Sequence, residues 1–426
     1  MKRGLLIVLA LVAALAAGWL VGRGDEDEPT AELTGPGPDV VVNKLPAPEE
    51  TDELGYPGFA TKNTTRVAGE DAIAAAAGVA LAVYPATGGG ASPDAVSLVD
   101  ARDWPSGVAA ASLMAEPIGA PVLVTQGAEL PQLSADAIAQ LEPGGSADTG
   151  GAEAFAIGVA RAPDELRSDQ LEGDNPAELA VAIQRLRARL SGEDPEHVVV
   201  TTSDDPEYAM PAASWAARSG DPVLFVGRDT VPGPTSRALE ELAKENVDVY
   251  VLGPEAAISE QAFDEIDEIA GGAERIEGEG PVASSIEFAR FSDGSFGWNI
   301  NDPGHGFVVA SEERPLDAAA AAPLSASGTW GPLLVSDEVE ALPADLRAYL
   351  LDLKPGYEDD PTRALYNHVW VIGDENALSV DFQAQLDEIA ELAPVSSGTG
   401  SPQEENQPSD DRAGGSSSPD GSGGTS

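Results

Sequence analysis

The sequence predicts an α/β fold of three tandem, small three-layer repeats, each built on a short parallel sheet. Three observations carry this. Short unbroken runs of Val, Leu and Ile, bounded by Gly, Pro or Asp, read as strands buried on both faces, as in a parallel sheet. Ala-rich or 3.6-periodic segments lie between them and read as helices, so helix and strand alternate as in right-handed βαβ units. The whole order then recurs three times in 426 residues.

Taken in order, each copy opens on a Gly beside acid that leads into a helical pattern: Gly69-Glu-Asp, Gly173-Asp and Gly278-Glu. An apolar strand follows, at Val96–Asp100, Val198–Thr202 and Gly306–Ala310. Next comes an Ala-rich stretch, Pro105–Ala115, Tyr208–Ala217 and Leu316–Ala322, and then a Pro-led strand. Pro121, Pro222 and Pro332 start these strands, spaced 101 and 110 residues apart, with Leu123, Leu224 and Leu334 at their centres. Amphipathic helices are predicted over Ser134–Leu141, Pro234–Glu245, Glu260–Ala270 and Val380–Leu392; Ser259 and Ser379 are suited to cap the last two. Each copy closes on an apolar run and Gly: Ala154–Gly158, Val249–Gly253 and Val369–Gly373.

The ends differ in texture. Lys2 and Arg3 precede an apolar run from Gly4 to Val21, about 27 Å as a helix, just enough to cross a bilayer core. Residues 1–23 therefore read as an uncleaved signal anchor or a cleaved signal peptide, and either way the remainder is exported. Residues 24–62 are a Pro-, Gly- and acid-rich linker, and 396–426 are a low-complexity tail expected to be disordered. Between them the repeats divide as 63–160, 161–270 and 271–395.

Composition excludes several functions. Seventy-three acids against 23 Lys and Arg give a net charge of −50, which repels phosphate backbones and argues against a nucleic-acid partner. With no cysteine there are no disulfides, thiolate metal sites or cysteine nucleophiles. His197, His305 and His368 stand in unrelated settings without metal-ligand spacing and read as structural. Gly88-Gly-Gly90 lacks the spacing and Lys of a phosphate cradle. No catalytic residue, metal or cofactor is expected.

Open α/β sheets bind ligands outside the carboxyl ends of their strands. The polar residues there are the candidate ligand-binding set: Asp100, Arg102 and Asp103, Thr125, Asp204, Arg228, Arg314 and Ser336. Of these, Arg102, Arg228 and Arg314 are suited to pair with anionic groups, and their removal is expected to spare stability. They are not strictly equivalent, since Arg102 and Arg314 follow the first long strand and Arg228 follows the Pro-led one.

Arg66-Val-Ala-Gly-Glu-Asp, Val96-Ser-Leu-Val-Asp-Ala-Arg, Ala109-Ala-Ala-Ser-Leu-Met-Ala, Ala120-Pro-Val-Leu-Val-Thr and Val249-Tyr-Val-Leu-Gly resemble the motifs of the cell-wall-binding repeat type 2 family. The resemblance spans about residues 63–395. The family's opening Gly-Gly is replaced here by Ala68-Gly69, Glu172-Gly173 and Glu277-Gly278. The resemblance implies a compact pseudo-trimer of the three repeats on a Gram-positive surface. It also implies a non-catalytic role, with multivalent, non-covalent binding of a wall polymer, a glycan that is neutral or anionic. Pro121, Leu123, Pro222, Leu224, Pro332 and Leu334 are the positions of the family's Pro-apolar motif. Two other readings remain: a glycan hydrolase working in an inter-repeat cleft, and an envelope scaffold without ligand. The membrane is a partner only if the N-terminal helix is retained; otherwise the protein is wall-bound or secreted.

Overall fold

Strand edges, and which repeat supplies them, organise this molecule. A computed structural model describes residues 59–394 apart from 86–91, 328–330 and 359. The apolar run 4–21, most of the linker, Gly88–Gly90 and the tail lie outside the described residues. In chain order the elements of the first repeat are β1 (Phe59–Ala60), β2 (Thr64–Val67), α1 (Ala72–Val83), β3 (Val96–Asp100), α2 (Trp104–Ala110, continued by a 3-10 turn over Ala111–Met114), β4 (Val122–Thr125), α3 (Gln132–Leu141) and β5 (Ala154–Ile157). Then follow β6 (Ser168–Leu171), α4 (Pro176–Ser191), β7 (His197–Thr202), α5 (Pro206–Ser219), β8 (Val223–Val226), α6 (Gly233–Lys244), β9 (Asp248–Leu252) and α7 (Glu260–Ala270). The third set is β10 (Glu274–Ile276), α8 (Pro281–Arg290), β11 (Gly306–Ser311), α9 (Leu316–Ala326), β12 (Leu333–Ser336), α10 (Ala344–Asp352), β13 (Gly356–Tyr357), β14 (His368–Ile372), α11 (Val380–Ala390) and β15 (Ala393–Pro394).

The three main sheets share one order: β4-β3-β5-β6, β8-β7-β9-β10 and β12-β11-β14-β2, the last extended by β1. Their pairings are parallel, except that β1 runs antiparallel to β2. The fourth strand of each sheet comes from the start of the next repeat along the chain. Thus β6 joins the first sheet, β10 joins the second, and β2 returns from the N-terminus to complete the third. The repeats are laced in a ring, and β1 shows that folded structure begins inside the stretch read as linker.

Why these residues form these strands is clearest in the third sheet. Val308 and Ala310 of β11 pack into a core shared by all three repeats, while Phe307 and Val309 pack into a second core belonging to this repeat alone. In β12, Leu333 and Val335 face the shared core and Leu334 the other. The period of two is therefore present, but both faces are apolar, so no polar alternation shows in the sequence. The Pro-led strands are edge strands, where the missing amide of proline costs no ladder bond. The Pro121, Pro222 and Pro332 carbonyls accept from the amides of Ser97, Val199 and Val308 at 2.8, 3.0 and 3.0 Å.

At the centre the Ala-rich helices α2, α5 and α9 pack against one another, with α1 against α9. Small side chains permit this approach: a Cβ on Gly107 of α2 would meet Leu316 Cδ1 of α9 at 2.5 Å. The opening glycines have a similar reason. A Cβ on Gly69, Gly173 or Gly278 would collide with the backbone of the helix that follows it. Helix starts behave as the sequence predicts: Ser259 and Ser379 accept through Oγ from the amides of Ala262 and Phe382. Asp71 and Asn175 cap α1 and α4 in the same way. The first repeat departs from the others, because β5 runs through a loop into β6 with no helix like α7 or α11 between them.

Candidate wall-binding loops

Strand register aligns the three repeats residue by residue. Asp100, Thr202 and Ser311 end the central strands opposite Thr125, Val226 and Ser336. In each repeat the next amide (Ala101, Ser203, Glu312) donates to the carbonyl of that partner at 2.8, 2.8 and 2.9 Å. The backbone frame is thus triplicated, and the side chains on it are not.

In the first repeat, Asp100 is 5 % exposed. Its carboxylate accepts from Arg102 Nη2 at 2.9 Å and from the Gly127 amide at 2.9 Å. Burial opposes its ionisation, but the Arg102 guanidinium and these amides outweigh burial and hold its pKa below the ordinary value. The Arg102 side chain itself remains 79 % exposed. Thr125 is buried and donates through Oγ1 to the Gly127 carbonyl at 2.9 Å, closing the turn. Asp103 is the N-cap of α2, accepting from the Ser106 amide at 3.2 Å.

The second repeat rebuilds the same turn with other residues. Asp204 Oδ2 accepts from the Arg228 amide at 2.9 Å, the counterpart of the Asp100–Gly127 bond. The Arg228 side chain, exposed, donates from Nε to the Ala256 carbonyl at 2.9 Å and pairs with Asp229 at 3.1 Å. In the third repeat Ser336 Oγ donates to the Glu338 carbonyl at 2.8 Å, repeating the role of Thr125. This corner carries acid where the others carry Arg. Glu312 is pushed up by burial and by Asp337, Glu207 and Glu313.

Arg314 is elsewhere. Its Nε stands 2.8 Å from Asp317 Oδ2, and its Nη1 donates to the Gly69 carbonyl at 2.9 Å and lies 3.5 Å from Asp374. It is 17 % exposed, and Asp317 is fully buried. The expectation that Arg314 is removable without loss of stability is therefore corrected: it offsets a buried carboxylate and ties the third repeat to the start of the first. Arg102 and Arg228 stand at strand ends as exposed cations, though at different register positions; Arg314 does not join them. The Pro-apolar residues are core, with Leu123, Leu224 and Leu334 each 0 % exposed, so these side chains shape the strand and present no surface to solvent.

Two features lay outside the reach of the sequence reading. Arg66 of β2, Arg275 of β10 and Gln170 of β6 occupy one position in the three laced strands, and all donate to the carbonyl of the closing glycine: Gly373 at 2.8 Å, Gly253 at 2.9 Å and Gly158 at 2.9 Å. The motif Arg is thus a latch between repeats. Only the recurrence of Arg at the head of a repeat hinted at a role. His197, read as structural, has Asp221 on one ring nitrogen and Ser295 on the other. No spacing signals a partner 98 residues away.

With this geometry in place, the relatives are informative. Residues 170–263 match the family model of cell wall binding domain 2 (CWB2). None of the curated proteins matches the chain. Among solved structures, the fold is similar to Cwp6 from Clostridium difficile, with TM-score 0.58 and 16% identity over 77% of this chain and 48% of that one. It is equally similar to Cwp8 from Clostridium difficile, with TM-score 0.58 and 16% identity over 78% of this chain and 52% of that one. The chain spans about half the length of these two proteins. The family model covers residues 170–263 alone, so the likeness to cell wall binding domain 2 rests on the second repeat.

Proposed function

We propose that this is an exported cell-surface protein whose three laced repeats hold cell-wall polymer without covalent attachment. The observation that carries the reading is the CWB2 match to the second repeat, together with the same sheet order in all three. Three weak sites on one rigid body raise effective concentration, so binding needs no single tight pocket and no catalytic group. Arg102 and Arg228 are the side chains we assign to polymer contact, with Asp100, Asp103, Asp204, Thr125 and Ser336 setting the turns that present the strand ends. Retention at the surface is reinforced by the membrane if Gly4–Val21 stays attached.

The test is co-sedimentation with purified wall sacculi and with fractionated wall polymers. Wild type pellets with wall material, and the Arg102→Ala/Arg228→Ala double variant, shown to be folded by circular dichroism, pellets less. Equal pelleting of the double variant removes those loops as the site. Wild type that ignores every wall fraction supports a scaffold instead.

A further inference from the structure

A cavity of about 1050 Å³ opens at the opposite end of the second sheet, where α4, α5 and the loop carrying Ser295 meet. It lies by the starts of β7 and β8, so it is separate from the strand-end loops. Its wall includes Glu116, Arg187, Arg218, His197, Asp221 and Ser295.

Three of these form a chain. Asp221, 5 % exposed, accepts from Trp215 Nε1 at 2.8 Å and stands 3.4 Å from His197 Nδ1 through the same oxygen. The tryptophan bond fixes the carboxylate, and the carboxylate favours the proton on Nδ1. That leaves Nε2 as an acceptor, and it lies 3.1 Å from Ser295 Oγ. The ring lies against the Phe296 and Tyr250 rings, tilted to both, with centroids at 5.4 and 6.0 Å.

Ser295 is exposed at a tight turn whose ends, Asp293 and Phe296, exchange both backbone bonds at 2.9 Å. Gly294, at φ 58°, makes the reversal possible. Tyr250 stacks on Phe296 at 3.7 Å and donates to Asp293 at 2.9 Å, so the turn is held from beneath. Glu196 Oε2 is a second acceptor for the hydroxyl at 3.4 Å, weaker by distance than the imidazole. An exposed hydroxyl, a base within reach and a buried acid orienting that base form the constellation of an activated nucleophile.

We propose that Ser295, His197 and Asp221 form a serine-hydrolase centre that cleaves carboxylic esters of polar alcohols. Ser295 Oγ bonds to the ester carbonyl carbon while its proton passes to His197 Nε2. The carbon–alkoxy bond then breaks, and the alcohol leaves with that proton. Water adds to the acyl-serine, giving a proton to His197 and releasing the carboxylic acid, and the hydroxyl of Ser295 is restored. The polar, charged wall suits a polar alcohol, and an ester asks less of a 3.4 Å acid–base couple than an amide does. Ser295 and His197 are catalytic here, and Asp221 is a positioning residue.

The experiment uses the full chain with a fluorophosphonate probe and p-nitrophenyl acetate. The expected result is one phosphonyl adduct, mapped by peptide mass to Ser295, and hydrolysis that falls at least about 100-fold in Ser295→Ala but not in Ser292→Ala. Asp221→Asn lowers kcat at least about tenfold with KM unchanged and folding retained by circular dichroism. If that variant does not fold, the wild-type adduct and Ser295→Ala decide alone. Folded wild type without an adduct on Ser295, or hydrolysis equal in Ser295→Ala, overturns the proposal. Neither outcome bears on wall sedimentation.

Discussion

Replacing Arg66 with alanine cuts the latch that closes the ring. Arg66 is 3 % exposed and sits on β2, the strand returned from the N-terminus to the third sheet. Its guanidinium donates to Gln383 Oε1 at 2.8 Å, to the Gly373 and Asp374 carbonyls at 2.8 and 3.0 Å, and to the Ser379 carbonyl at 3.1 Å. Alanine leaves these acceptors without that donor. At about 1–1.5 kcal/mol for each orphaned acceptor, the loss is about 4–6 kcal/mol. Arg275 makes two such carbonyl bonds, at 2.9 Å each, and its side chain is 10 % exposed, so Arg275→Ala costs about 2–3 kcal/mol. Gln170, a neutral donor on an exposed stretch, costs about 1 kcal/mol. Urea unfolding of the three variants measures the ranking, and hydrogen exchange at residues 64–67 locates the loss in Arg66→Ala. An Arg66→Ala variant within about 1 kcal/mol of wild type, or one no worse than Gln170→Ala, refutes the latch.

Three further outcomes are expected. Leu123→Ala, Leu224→Ala and Leu334→Ala, all at fully buried centres, each cost about 2–5 kcal/mol in urea unfolding through the cavity left behind. Asp317 is pushed up to about 6 by burial, against the Arg314 guanidinium that pulls it down. Folding therefore favours its protonated form, and this contribution is full below about pH 4 and lost as pH rises through about 6, up to about 3 kcal/mol in all. Comparing wild type with Asp317→Asn at pH 5 and pH 7 isolates it, and identical pH slopes count against it. At net charge −50 self-repulsion is large, so the melting temperature rises as salt screens it from low to moderate ionic strength; a flat response means the acids are already compensated.

Much of the architecture was legible along the chain because it rests on local, periodic signals. The continuous apolar runs marked strands buried on both faces, as Phe307–Ala310 shows with neighbours packing into different cores. Ser259 and Ser379 announced their helices, and the Pro-led runs recurred as edge strands. The opening Gly of each copy was visible as a landmark, though its reason, a helix backbone with no room for a Cβ, is tertiary.

What the tertiary structure alone decided depends on partners distant in sequence. Sheet membership does not follow repeat order, because parallel pairing is set by packing across a crossover, so Thr64–Val67 completes a sheet some 300 residues away, with Val369 paired to Thr64. The fate of each arginine was likewise decided in space. Arg102 reaches solvent, whereas Arg314 turns inward onto a carboxylate that burial makes costly to leave alone. His197 meets Ser295 only because the turn at Asp293–Phe296 folds onto β7, and sequence distance carries no trace of that contact. Periodicity and turn chemistry fix where the chain extends, coils and reverses; which buried polar groups satisfy one another is known only once the cores have closed around them.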